Sequence, residues 1–162
     1  MRRLLLASIF LASFVLAADA TTTPNSFVTP QVPNRGIVQF LQGTDTAGTY
    51  KTLYTAGANG SRCYGMWETN NDASATHLVT VQIVNGGIKY GGMAITSASS
   101  DGYANGKPAV NLMSSTNWPG LPQDQYGNPY IQLVSGDTVQ ATFATALTSS
   151  DVLNIVTVCA DF

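Results

Sequence analysis

His77 is the sole histidine of this chain, Glu68 its sole glutamate, and Cys63 and Cys159 its two cysteines. Nucleophilic catalysis needs a base beside an activated Ser or Cys. No G-x-S-x-G run is present, and Asn59-Gly60-Ser61 reads as a hairpin turn instead of a strand-to-helix elbow. A Cys63–His77 pair would lack the helix N-terminus that lowers a thiol's pKa. Glycoside hydrolysis needs two carboxyl groups across a bond. Glu68 and Asp72 are the nearest pair in sequence, but they flank a turn, where solvation is the simpler reading. One histidine and two distant cysteines do not make a zinc spacing, and no D-x-D-x-D-G run offers a calcium loop. Asp124 with carbonyls near Asn128 is the remaining loop candidate for a cation. No Gly-rich loop precedes a helix, so phosphate cradling has no support. The residues therefore predict no catalytic, cofactor-binding or metal-binding set, and hence no enzyme. His77 shares strand parity with Val79 and reads as a packed or rim histidine.

The aromatic residues are the other functional material. Trp118, Tyr126 and Tyr130 surround a long loop at 114–130, and Tyr103 lies in a second loop at 97–107. Aromatics on loops stack on sugar faces or fill a partner's pocket. The four make a candidate binding loop, and the competing reading is that Trp118 and Tyr130 pin the loop to the body of the fold. Trp67, within a strand, reads as core.

The elements that must position these residues are strands. Val79, Val81 and Ile83 alternate with Thr80 and Gln82, the pattern of a strand with one buried and one wet face. Asn85-Gly86-Gly87 turns that run into Ile88–Thr96 as a hairpin. Similar runs fall at Ile37–Leu41, Tyr50–Thr55, Ser61–Thr69, Val110–Met113, Tyr130–Val134, Asp137–Ala144 and Val152–Ala160. Turns separate most of them, and no helix is convincing. The prediction is an all-β, two-sheet sandwich, jelly-roll-like, of about eight or nine strands.

Ahead of the strands stand two other segments. Residues 1–20 carry Arg2 and Arg3, an apolar run from Leu4 to Ala17, and Ala18-Asp19-Ala20. That is the pattern of a secretory signal peptide cut after Ala20, and the apolar run is short for a membrane span. Export, extracellular or periplasmic, is expected, with no membrane association after cleavage. Residues 21–35 hold three prolines without periodicity and read as an N-terminal arm. The sandwich domain is then 36–162. In an oxidising compartment Cys63 and Cys159 are a candidate disulfide, the alternative being two buried free thiols. Bonding requires their strands to be neighbours.

Charge is scarce, at 10% of residues. Without the first twenty residues the chain keeps five basic and eight acidic side chains, a net of −3. Arg35, Lys51, Arg62, Lys89 and Lys107 are too scattered for a basic patch, which excludes nucleic-acid binding by phosphate neutralisation. Three lysines are also few for guarding the open edges of a sandwich. Self-association would cover those edges, so a homo-oligomer is expected.

Two longer stretches carry a resemblance. Leu53–Gly87 holds Thr55, Gly57, Asn59, Gly60 and Arg62, then Asn71, Ala75, His77, Val79, Thr80 and Val81. Leu121–Phe143 holds Leu121, Pro122, Asp124, Gly127, Asn128, Pro129, Tyr130, Leu133, Gly136, Asp137 and Thr138. Both resemble elements of small structural proteins of tailed bacteriophages and prophages. The resemblance implies a non-enzymatic virion component, such as a head-decoration or accessory protein at the virion surface. It would bind copies of itself, as a trimer sooner than a dimer, or a capsid-like surface. An export signal is out of place in such a protein. Two rival functions stand beside this one. The first is a secreted carbohydrate- or surface-binding module using the aromatic loops, with a glycan as partner. The second is a hydrolase using Glu68 or His77.

Overall fold

The computed structural model describes residues 32–99, 102, 107–148 and 151–162. The signal-peptide reading of 1–20, residues 21–31 of the arm, and Tyr103 lie outside the described residues. Nine strands follow one another: β1 (Val32–Leu41), β2 (Lys51–Thr55), β3 (Ser61–Asn70), β4 (His77–Asn85), β5 (Ile88–Ser97), β6 (Val110–Asn111), β7 (Ile131–Leu133), β8 (Thr138–Phe143) and β9 (Val152–Asp161).

The strands form two antiparallel sheets. One has the order β1-β9-β3-β6, with β7 also paired to β3, and the other β2-β8-β4-β5. The pairings nest: β1 with β9, β2 with β8, β3 with β7, β4 with β5. A long double strand rolled up on itself gives this order, which is the jelly-roll form of the sandwich.

The alternation read in β4 is realised. Val79, Val81 and Ile83 are buried between the sheets, facing Val139, Ala141 and Phe143 of β8 in the same layer. The β4–β5 turn is closed by Gly86 and Gly87, both at positive φ, as a two-residue hairpin matched to strand twist requires. Phe40 of β1 and Phe143 of β8 meet across the core with ring centroids 5.0 Å apart. At one corner β1 and β2 approach so closely that a Cβ on Gly36 would lie 2.0 Å from the Leu53 carbonyl oxygen. Only glycine fits there.

Three differences from the sequence reading have physical causes. β1 begins at Val32, so Val32–Arg35 pair with β9 instead of belonging to a free arm. Pro33 is tolerated because β1 is an edge strand. In β3 an extra residue at Tyr64 shifts the register between Cys63 and Gly65. Strict alternation from Cys63 would turn Gly65 and Trp67 inward. The bulge reverses the parity, so Met66, Glu68 and Asn70 face the core while Trp67 faces out, half-buried. Trp67 is therefore not core. Glu68 and Asp72, expected to be solvated, are fully buried.

Cys63 and Cys159 are directly opposed on β3 and β9, with Cα atoms 3.8 Å apart, and form a disulfide across 96 residues of chain.

Candidate functional site

The residues with most chemistry in them are tied into the scaffold. Asp72 follows β3 in the crossing to β4, with its carboxylate buried. Its Oδ1 accepts the backbone N–H of Ser74 at 2.9 Å, the Ser74 hydroxyl at 2.8 Å and the Ala75 N–H at 2.9 Å. Its Oδ2 accepts the Thr148 N–H at 3.2 Å and the Thr148 hydroxyl at 2.8 Å, and lies 3.0 Å from His77 Nε2. His77 Nδ1 lies 2.9 Å from the Thr145 carbonyl oxygen. Burial alone would raise the Asp72 pKa, but the hydrogen bonds from Ser74, Thr148 and His77 outweigh it. They hold the carboxyl well below the usual carboxylate range. This cluster ties the β3–β4 loop to the segment after β8. The ring of His77 packs edge-on to Phe143, and the His77 and Asp72 side chains are both closed to solvent.

Glu68 is equally enclosed and accepts the Ser97 hydroxyl at 2.7 Å, linking β3 to the end of β5. It is not brought together with Asp72 as a carboxyl pair facing a cleft. Asp161 accepts Ser61 Oγ at 2.5 Å and the Gly57 N–H at 3.3 Å, and also accepts the Tyr54 hydroxyl. The bonds from Ser61 and Tyr54 lower the Asp161 pKa, while burial and this carboxylate push the Tyr54 phenol up. Asp137 accepts Asn85 Nδ2 at 2.7 Å, the Val134 N–H at 2.7 Å and the Tyr90 hydroxyl. Each of these carboxylates closes a turn on a neighbouring strand.

The loop at 114–130 separates the aromatic residues that the sequence grouped. Trp118 is only 7% exposed and belongs to the buried core. Tyr130 lies under the Arg62 guanidinium, 4.4 Å from its ring centroid, and Arg62 Nε donates to Gln132 at 3.1 Å. Tyr126 stands free at 79% exposure. Tyr126 and Tyr130 share an open groove of about 450 Å³ with Arg62, Gln123, Asp124 and Gln125. Asp124 is the hinge of this loop. Its carboxylate accepts the N–H groups of Tyr126 and Asn128 and the Asn128 amide, at 2.8, 2.9 and 3.0 Å. Those contacts, the Asn128 amide first, lower its pKa. Both carboxylate oxygens are thereby engaged in shaping the turn. Among the described residues no three His, Cys, Asp or Glu side chains lie together as a metal set.

A different surface was missed by sequence reasoning. On the outward face of the first sheet, Ile37, Val156 and Trp67 stand side by side across β1, β9 and β3. Val152 and Val158 extend this apolar row along β9, and Ile37, at 59%, is well exposed. The neighbouring line on the same face, Gln39–Asn154–Thr69, is polar, with a Gln39–Asn154 hydrogen bond of 3.0 Å. On the second sheet Thr52, Thr80, Gln82 and Gln140 occupy the middle of the outward face, with a Gln82–Gln140 hydrogen bond of 2.9 Å. Leu78 and Val84 lie only at its ends. The signal for the apolar face was present in the alternating valines of β9. It was unreadable without knowing which side of that strand faces in.

Fold and surface together define an all-β jelly-roll domain whose carboxylates tie turns to strands and whose first sheet shows an apolar line, Ile37–Val156–Trp67, on its outward face. No protein-family model matches the chain, and no curated protein matches it. Among solved structures, the chain is similar to one titled "Cyanophage Pam1 capsid asymmetric unit". The identity is 15%, the TM-score is 0.43, and the match covers 80% of this chain and 84% of that one.

Proposed function

We propose that this protein is a non-enzymatic structural protein that works by association, with copies of itself or with a capsid-like protein surface. The observation that carries this is the apolar row Ile37–Val156–Trp67 on an outward sheet face. A solvated antiparallel sheet ordinarily keeps that side polar. The fixed roles of Asp72, His77, Glu68, Asp137 and Asp161 support the same reading. Each is committed to holding a turn or a strand, and none of these groups is arranged with a nucleophile at an open cleft. The sequence elements at Leu53–Gly87 and Leu121–Phe143, which resemble those of tailed-phage structural proteins, favour a virion decoration or accessory role. The cross-strand disulfide agrees with folding or residence outside a reducing cytosol.

The test is the mass in solution of the protein expressed from the full chain and purified oxidised, measured by light scattering across micromolar concentrations. Association that strengthens with concentration supports the reading. The companion test is a broad hydrolase screen, with His77→Ala and Glu68→Ala as controls. A turnover that either substitution removes would contradict it.

The carbohydrate-binding reading retains one observation, the groove between Tyr126 and Tyr130. Saturable glycan binding lost with Tyr126→Ala would favour it.

A further inference from the structure

We infer that the loop at 121–130 and the outward side of β3 form one binding site for a neutral oligosaccharide, which lies along both flanks of the loop tip. This rests on the carbohydrate-binding reading of the Tyr126–Tyr130 groove, and it names the ligand class and a second half of the site. It is independent of self-association.

The loop is built to hold one ring still. Gln123 and Pro129 form an antiparallel bridge at its base. The Asp124 N–H donates to the Asn128 carbonyl at 2.9 Å, the Gly127 N–H to the Asp124 carbonyl at 3.0 Å, and the Tyr130 N–H to the Pro122 carbonyl at 3.0 Å. Together with the contacts of the Asp124 carboxylate, these bonds fix the whole turn. Gly127 takes the positive φ, 83°, that the reversal needs. Nothing in that turn requires an aromatic residue, yet Tyr126 occupies its tip with an exposed ring. A tyrosine offers a large amphipathic face and loses little conformational entropy on binding. A backbone fixed beforehand lowers that loss further.

Hollows open on both flanks of the tip. On one, Tyr126, Tyr130 and Arg62 border the groove of about 450 Å³. On the other, Tyr64, Gly65, Trp67 and Pro129 line a hollow of about 430 Å³. Asp124 borders both, so the two meet at the loop. The second hollow is a product of the β3 bulge. Tyr64 is the extra residue and is exposed, and the change of parity after it turns Trp67 outward. Gly65 leaves the floor open, since a Cβ there would meet only the Trp67 ring, 3.6 Å away. Each hollow has the size of a small-molecule site, so a ligand that fills both has several linked rings.

The lining selects the chemistry. Tyr64, Trp67 and Tyr126 offer aromatic surface to the C–H faces of pyranose rings. Arg62 covers one face of Tyr130. Gln123 and Gln125 stand exposed beside the groove. A carboxamide both donates and accepts, as a sugar hydroxyl does. The charged side chains at the two hollows are one of each sign, Arg62 and Asp124. Each is committed, Arg62 to Tyr130 and Gln132, Asp124 to its own turn. The site therefore carries no net charge, which favours a neutral sugar over an acidic one.

The experiment is an array of neutral and acidic oligosaccharides probed with the oxidised protein expressed from the full chain, followed by calorimetric titration of the strongest neutral binder. Four forms are titrated: unchanged, Tyr126→Ala, Gly65→Leu and Gln82→Ala. Saturable binding of a neutral oligosaccharide is expected. Tyr126→Ala removes the ring at the tip and should weaken binding about tenfold. Gly65→Leu fills the second hollow and should weaken binding by a similar factor. Gln82→Ala, on the outward face of the other sheet, should bind as the unchanged protein does. Far-UV circular dichroism and the urea midpoint report whether each variant is folded. Should Gly65→Leu fail to fold, Tyr64→Ala tests the same flank from an exposed position. Binding that Tyr126→Ala leaves intact overturns the site. Binding weakened by Tyr126→Ala but not by Gly65→Leu or Tyr64→Ala overturns the second half of the site while the carbohydrate reading stands. Stronger binding to acidic than to neutral glycans overturns the ligand class. No saturable binding to any glycan overturns this inference and the carbohydrate reading together, and leaves self-association standing.

Discussion

Removing the Asp72 carboxylate should be among the costliest single changes in this protein. Five protein N–H and O–H groups from Ser74, Ala75 and Thr148 point at its two oxygens, and His77 Nε2 makes a sixth contact. In Asp72→Ala these groups lose their acceptor; Ser74 and Thr148 are exposed and can turn to water, whereas His77 is fully buried and cannot. Hydrogen bonds to a charged acceptor are worth about 1.5–3 kcal/mol each where water does not replace them, so the combined loss should be about 3 kcal/mol or more. A domain of this size has a total stability of about 5–15 kcal/mol, so the variant should sit near its threshold. Asp72→Asn keeps one acceptor oxygen but turns an amide toward other donors, and should cost about 2–3 kcal/mol. Urea denaturation of the oxidised protein at neutral pH measures both. The pH dependence provides a second check. The folded-state pKa of Asp72 is depressed below the unfolded value of about 3.9. Its contribution is therefore fully present above that value and is lost as pH falls through the folded one. The stability curves of the unchanged protein and Asp72→Asn should converge in acid. A loss below about 1 kcal/mol for Asp72→Ala, or parallel pH curves, would refute the role given to this cluster.

Three further expectations follow from single contacts. Reducing the Cys63–Cys159 bridge releases a loop of 96 residues and should lower stability by about 4–5 kcal/mol in the chain-entropy model, read as a shift of the urea midpoint with and without reductant. Gly36→Ala drives a Cβ into the Leu53 carbonyl and should cost about 3 kcal/mol or more, seen as a lowered thermal midpoint; an unchanged midpoint would contradict the close approach of β1 and β2. Burial and the Asp137 carboxylate push the Tyr90 phenol above its ordinary pKa. Ultraviolet titration should therefore show Tyr90 ionising late, together with Tyr54, and Asp137→Asn should bring Tyr90 earlier while leaving Tyr54 late.

How much of this was legible in the sequence depended on local geometry. Val79, Val81 and Ile83 declared the buried side of β4 because strand periodicity is strictly two. Gly86 and Gly87 declared the hairpin because two consecutive positive φ angles demand such residues. The bulge at Tyr64 carried no comparable signal, and one inserted residue was enough to exchange the sides of Trp67 and Glu68. The burial of Asp72 followed from a crossing between sheets that no local pattern encodes. Trp118 and Tyr126 are eight residues apart in one loop, yet one joins the core and the other is exposed, a difference that loop sequence without periodicity does not encode. The outer face needed the pairing of β1, β9 and β3, strands separated by most of the chain.

The mass of the oxidised protein in solution, as a function of concentration, tests the central claim most directly. A mass above that of one chain, rising with concentration, is the predicted result. A mass of one chain at every micromolar concentration would contradict the account of this protein as a self-associating structural element.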